Sequence, residues 1–212
     1  MVAFVLPKAL LVKNSKIFDR AFNGPYREGT DQKMHLVETT FSAFCAVVRF
    51  LYGGHEFIGG PETSIDKWRH AMMDFFLTAN MIDLRADLAD AFKRTGEALA
   101  LGPLPSRELL EKALDLPYHH RGRRIFIGAC VTPFTRHASL ACQGLPSSEY
   151  WPKDLDEFFK SEDDFAFELL MEYTKATAPY LRNNMSKCYC ILPSITMTIP
   201  FSISTFANIS LL

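Results

Sequence analysis

The chain has 212 residues, 48% of them hydrophobic, with 18 Phe and a formal net charge of −1. That length suits one domain of ordinary size with a helical extension, enough to bury a core, and leaves no room for two large domains. The apolar content argues against disorder, and the near-neutral balance lacks the charge excess that draws a chain to nucleic acid.

At the start, Met1-Val2-Ala3-Phe4-Val5-Leu6 is too short an apolar run before Pro7 and Lys8 to read as a secretory signal. The spacing of Leu10, Leu11, Ile17 and Phe18 predicts a helix over residues 8–22, stopped by Asn23-Gly24-Pro25. Tyr26-Arg27-Glu28 reads as a turn, and residues 33–37, with Met34-His35-Leu36-Val37, as a short strand. Thr39 and Thr40 can cap a helix whose apolar positions 41, 44, 45, 48, 51 and 52 recur at helical spacing. Val47 and Phe50 are apolar too, so that helix is expected to be nearly buried.

Residues 53–61 are glycine-rich without a phosphate-cradling order, and read as a loop. Thr63 with Asp66 predicts a capping box for a helix burying Ile65, Trp68, Met72, Phe75, Phe76 and Ala79. Asp83 is expected to cap the next helix, which carries Leu84, Leu88, Ala91, Phe92 and Leu99. Gly102-Pro103-Leu104-Pro105 closes that region, and Ser106 with Glu108 opens another helix. A helix near residues 122–131, a loop at Gly144-Leu145-Pro146 and a helical stretch over 154–177 follow.

Residues 188–212 carry no charge and are broken by Pro193 and Pro200. Two prolines and many hydroxyl residues argue against a membrane span. The segment reads as an apolar, β-prone tail over 178–212, either disordered or an out-of-frame end of a gene model.

Lys8-Ala9-Leu10-Leu11, then Ser15-Lys16-Ile17-Phe18 and Tyr26-Arg27-Glu28, resemble the heart of a BTB/POZ domain, with Pro7 standing where that family has a histidine. Phe41 to Gly54 is similar to the family helix that ends in Phe-Leu-Tyr, and Phe75 to Leu84 to the helix after it. Leu116-Pro117, Arg123 to Gly128, Trp151 to Leu155 and Asp164 to Leu170 resemble the fungal subset of the family. Family members begin one strand earlier than Met1, so the resemblance is to an N-terminally incomplete, fungal-type member with an open sheet edge. It implies an α+β fold: a mostly helical BTB/POZ-like domain with a short sheet over residues 1–101, then a helical extension over 102–177.

No chemistry stands out beside this. The five cysteines are odd in number and lack CxxC spacing, which points to reduced thiols inside a cell, cytoplasmic or nuclear. No histidine pair has metal-ligand spacing, Cys188-Tyr189-Cys190 alone is too little for a metal, and no Gly-x-Ser-x-Gly occurs. Asp154, Asp156, Glu157, Glu162, Asp163 and Asp164 are explained by helix starts and a solvated face. The basic group His119, His120, Arg121, Arg123 and Arg124 lacks the interleaved aromatics of a base-stacking platform, which favours a solvated face or an acidic-peptide contact.

The expectation is a non-enzymatic interaction module with no cofactor or metal, no nucleic-acid partner and no membrane span. The resemblance implies protein partners, through homo- or hetero-oligomers or a cullin scaffold of a ubiquitin ligase; the alternative is a scaffold or transcription-associated protein without ligase contact. The family's hydrophobic-x-Glu docking motif is not matched, because Gly54-His55-Glu56 and Gly60-Pro61-Glu62 lack the hydrophobic residue. Partner binding is expected at Phe57, Ile58, Phe41 and Tyr52.

Overall fold

The computed structural model describes residues 4–37, 39–53, 64–144, 146, 148 and 150–184. The chain divides into two compact units, Met1–Tyr173 and Thr174–Leu212. Among the described residues the elements are helices: α1 (Lys8–Asn14), α2 (Lys16–Asn23), α3 (Arg27–Asp31), α4 (Phe41–Gly53), α5 (Ile65–Met81), α6 (Ala89–Leu101), α7 (Arg107–Leu114), α8 (Arg121–Gly128), α9 (Val131–Cys142), α10 (Lys153–Ser161) and α11 (Asp163–Asn184).

The expected first helix is two, broken at Ser15, whose backbone is extended at φ −143° and ψ 131°. A serine there gains more outside a helix than in one. Its hydroxyl accepts from Phe18 N at 3.1 Å, capping α2, and donates to the carbonyl of Ile82. Its backbone forms an antiparallel bridge with Leu84, flanked by Lys16 N to Asp83 O at 3.2 Å and Arg85 N to Asn14 O at 2.7 Å. Ser15 therefore opens the second helix, where the expected helix over residues 8–22 ran through it.

That bridge is the extent of β pairing among the described residues, and the short sheet is not present in them. The expected turn at Tyr26 to Glu28 runs into α3, and Gln32 then takes a left-handed conformation at φ 50°. Residues 33–37 follow without a ladder, because a strand needs a neighbour to satisfy its backbone and no second strand lies beside it. The α+β expectation is corrected to a mostly helical fold.

Asp83 does not cap α6. It sits at φ 47° in the turn after α5 and pairs with Lys16 at 3.1 Å, while Asp87 accepts from Ala89 N at 2.8 Å where α6 begins. Thr63 of the expected capping box lies outside the described residues; the N-cap of α5 is Ser64, whose side chain makes no cap bond. Thr40 does cap α4, accepting from Ala43 N at 3.2 Å, and Ser106 caps α7, accepting from Leu109 N at 3.4 Å. The expected final helix is split by Glu162, which is extended between α10 and α11.

Within Met1–Tyr173 the core is aromatic and continuous. Phe50 meets Phe75 at 5.3 Å between ring centroids, Phe75 meets Phe76 at 5.6 Å, and Phe76 stacks on Phe92 at 4.8 Å. Helices α7 and α8 pack on α5 and α6, so Leu109, Leu110, Phe126 and Ile127 join the same buried cluster. Each such side chain contributes about 1.5–3 kcal/mol by leaving water. Further along, Phe158 and Phe165 meet at 4.8 Å and Arg107 lies over the Phe158 ring.

Candidate interaction surface

Helix α4 carries apolar residues nearly all round, so its sequence does not say which face turns inward. The structure buries Ala43, Phe44, Val47 and Phe50. Of the stripe read as core, Phe44 alone is buried; Phe41 is 55% and Tyr52 63% exposed, with Cys45, Val48 and Leu51 partly covered. The reason lies in the partners. Phe44 is held by Phe4 at 4.9 Å and Phe18 at 6.4 Å, and Phe50 by Phe75, which fixes the rotation of the helix.

Eleven residues at 100° each return to within about 20° of the starting direction, so Phe41 and Tyr52 lie on one face of α4, roughly 16 Å apart along its axis. Positions 45 and 48 fall between them on that side. Helix α4 thus presents two apolar faces, of which the core uses one. Phe41 also stacks on Phe4 at 5.2 Å, which extends the outward surface toward the start of the chain, where Val5 is exposed; Val37 is exposed as well. Phe57 and Ile58 lie outside the described residues. The structure brings Phe41 and Tyr52 to one face and says nothing of the other two.

A cleft of 390 Å³ opens beside this helix, between Ser42, Ala43 and Ala46 of α4 and Asp66, Lys67 and His70 of α5. Its floor is made of small residues. No group of three His, Cys, Asp or Glu side chains could hold a metal ion among the described residues.

Sequence reading missed two buried arginines. Arg123 of α8 was grouped with a basic surface, yet it is buried and pairs with buried Glu168 of α11; its Nη1 donates to the carbonyls of Leu114 at 2.7 Å and Leu116 at 2.8 Å. The pair fastens α8, the end of α7 and α11 together. The signal was available in retrospect: Arg123 precedes Phe126 and Ile127 at helical spacing, and Glu168 lies among Phe165, Ala166 and Leu169, all of them buried. Arg69 of α5 is 1% exposed, and none of its three guanidinium nitrogens meets a hydrogen-bond acceptor. Asp66 Oδ1 is 3.6 Å from its Nη1. Burial holds the Arg69 pKa below the usual guanidinium value, and Asp66 partly opposes this. A Cβ on Gly102, the residue that ends α6, would collide with Arg69 Nη2 and lie 2.9 Å from Ile65 Cδ1, so a larger residue there would force both side chains to shift.

The remaining basic group disperses. Arg124 pairs with Glu172 at 3.1 Å, Arg121 lies over the Phe92 ring, and His120 caps α8, its Nδ1 accepting from Gly122 N at 3.1 Å. Burial among Phe76 and Phe92, with His119 adding a smaller push, lowers the His120 pKa, and the neutral ring is the form able to accept at Nδ1. Cys45 and Cys130 are free thiols, and burial pushes Cys130 up to about 12.

The BTB/POZ domain family model matches residues 2–91. The chain carries a BTB/POZ domain. Neither a curated protein nor a solved structure matches the chain. The BTB/POZ match spans α1 to the start of α6, so the two-faced helix α4 lies wholly within it. BTB/POZ is an interaction-domain family, generally non-enzymatic, and the match makes protein partners the work of this region. Among the described residues no helix is long and apolar enough to cross a membrane.

Proposed function

We propose that this BTB/POZ domain is an adaptor of the fungal type that docks a cullin scaffold of a ubiquitin ligase through the outward face of α4. The observation that carries the reading is the exposure of Phe41 and Tyr52 on one side of a helix whose opposite side is already buried. Exposed aromatics flanked by partly covered apolar residues have the composition of an interface centre. Phe57 and Ile58, a few residues beyond Tyr52, extend the contact. Helices α7 and α8 pack on α5 and α6, and among the described residues Phe41 and Tyr52 of α4 stay exposed.

A titration of the full chain against the N-terminal region of a cullin tests this. Saturable binding is expected. Phe41→Asp is expected to weaken it by about 10- to 100-fold, the loss typical of an aromatic interface anchor, with the melting temperature nearly unchanged. Phe57→Asp with Ile58→Asp is expected to abolish it. Unchanged affinity in both variants would remove the assignment.

A second reading rests on a different observation. Val37 is exposed and lines a smaller cleft of 220 Å³ with Ile17, Met34, Leu36 and Met81. An apolar surface there favours an oligomerising scaffold, or a transcription-associated protein, without ligase contact. Its mark is a mass above that of one chain that persists in Phe41→Asp and drops in Val37→Asp.

A further inference from the structure

Exposed apolar side chains that stand singly are ordinary and need no explanation. Three beyond the BTB/POZ match stand together. Tyr118, in the turn between α7 and α8, is 55% exposed, and Phe167 and Met171 of α11 are 46% and 40% exposed. The Tyr118 and Phe167 rings stack with centroids 6.5 Å apart, and Met171 follows Phe167 by one turn on the same side of the helix. The opposite side of α11 is taken up by the core, through Phe165, Ala166 and Leu169.

The patch is held in place from beneath. Arg123 lies at 6.0 Å from the centre of the Tyr118 ring, and that guanidinium is itself fixed by Glu168 and by the carbonyls of Leu114 and Leu116. The turn that carries Tyr118 is closed by His120 N donating to Pro117 O at 2.8 Å. Tyr118 is thus ordered before a partner arrives, which removes part of the entropic cost of association.

Charge decides what kind of partner fits. Asp163 and Asp164, both exposed, lie in the first turn of α11, one turn before Phe167. At 100° per residue, Asp163, Phe167, Met171 and Asp164 fall within one strip about 100° wide and about 12 Å long. Neither carboxylate is engaged in an ion pair among the described residues. The strip therefore offers apolar surface at one end and unneutralised negative charge at the other, and its features recur once per turn, the interval at which a second helix offers its side chains.

We propose that Tyr118, Phe167, Met171, Asp163 and Asp164 form a docking surface for a basic amphipathic helix of a partner protein, separate from the outward face of α4. Such a helix, lying along α11, sets two apolar side chains one turn apart on Phe167 and Met171, and an arginine or lysine one turn further on beside Asp163 and Asp164. Burial of the aromatic patch supplies the affinity, while the carboxylates fix direction and reject acidic segments.

Fluorescence anisotropy of the full-length chain with three labelled synthetic helical peptides tests the surface. The first peptide carries two leucines one turn apart and two arginines a turn beyond; the second has glutamates in place of the arginines, and the third serines in place of the leucines. Saturable binding of the first alone is expected. Phe167→Ser is expected to weaken it by about tenfold or more, as loss of a central aromatic contact does. Tyr26→Ser, at a similarly exposed aromatic within the BTB/POZ match, is expected to leave it unchanged. Asp163→Lys with Asp164→Lys is expected to move the preference from the arginine to the glutamate peptide, a reversal that loss of folding cannot produce. A glutamate or serine peptide that binds as tightly as the first, an affinity indifferent to Phe167→Ser, or no saturable binding of the first peptide would overturn the proposal. Light scattering on the chain alone examines the competing occupant: a mass of two chains that falls to one in Phe167→Ser would give the patch to a second copy and overturn the proposal as well.

Discussion

Among the described residues two arginines are buried, Arg69 within the BTB/POZ match and Arg123 beyond it, and their surroundings are opposite. Arg123 has a buried carboxylate and two carbonyls at 2.7 and 2.8 Å. Arg69 has one distant, solvent-facing Asp66. Taking a charge out of water costs several kcal/mol unless partners replace the lost hydration. Arg123 has been given those partners, so its role is to hold helices together. Arg69 has not, and its burial opposes stability where it stands. The difference separates an ion pair whose hydrogen bonds are met from a buried charge whose lost hydration is not replaced.

The largest effect expected from this comparison is at Glu168. Glu168→Ala leaves Arg123 buried with two carbonyls and no counter-charge, and a loss of about 3–5 kcal/mol is expected in denaturant unfolding. Arg69→Met should move the other way: with no hydrogen bond to lose, an apolar side chain of similar length is expected to leave stability unchanged or raise it by about 1 kcal/mol. A loss of several kcal/mol in Arg69→Met would show that Arg69 is held by partners as firmly as Arg123. The two substitutions together decide whether burial or pairing governs each site.

How much of this could be read from the sequence depends on what sets each feature. Caps formed by one side chain and a nearby amide were legible, as at Thr40 and Ser106, because the interaction is local. The apolar face of α5 was legible for the same reason: Trp68, Met72, Phe75, Phe76 and Ala79 recur at helical spacing and are buried, although polar Arg69 and Thr78 are buried with them. The rotation of α4 was not, since nearly every position is apolar and the choice among faces is made by Phe4, Phe18 and Phe75, distant in sequence. Ser15 misled because its bridge to Leu84 and bond to Ile82 span about 67 residues, which no local pattern encodes. Arg123 misled because three arginines within residues 121–124 look like surface until Glu168 is found opposite one of them.

Smaller effects are expected at Ser15 and His120. Ser15→Ala removes the cap of α2 and the bond to Ile82 at once, and a destabilisation of about 1–2 kcal/mol is expected. A value near zero would mean that the break between α1 and α2 is set by the backbone bridge alone. His120 supplies the weakest and most specific signal. Its folded pKa lies below its unfolded value of about 6.5, so the unfolded chain takes up the proton first and stability is lost as pH falls from 7 toward 5. The contribution is less than about 1.4 kcal/mol per pH unit. Comparing unfolding free energies of wild type and His120→Gln at both pH values isolates it; equal slopes would remove His120 as the cause.

The central claim is that the outward face of α4 is covered by a protein partner. Light scattering on the full chain mixed with the N-terminal region of a cullin, for wild type and for Phe41→Asp with Tyr52→Asp, measures it most directly. The account predicts a complex of summed mass for wild type and separate components for the variant. Identical masses for the two, whether complexed or apart, would contradict it.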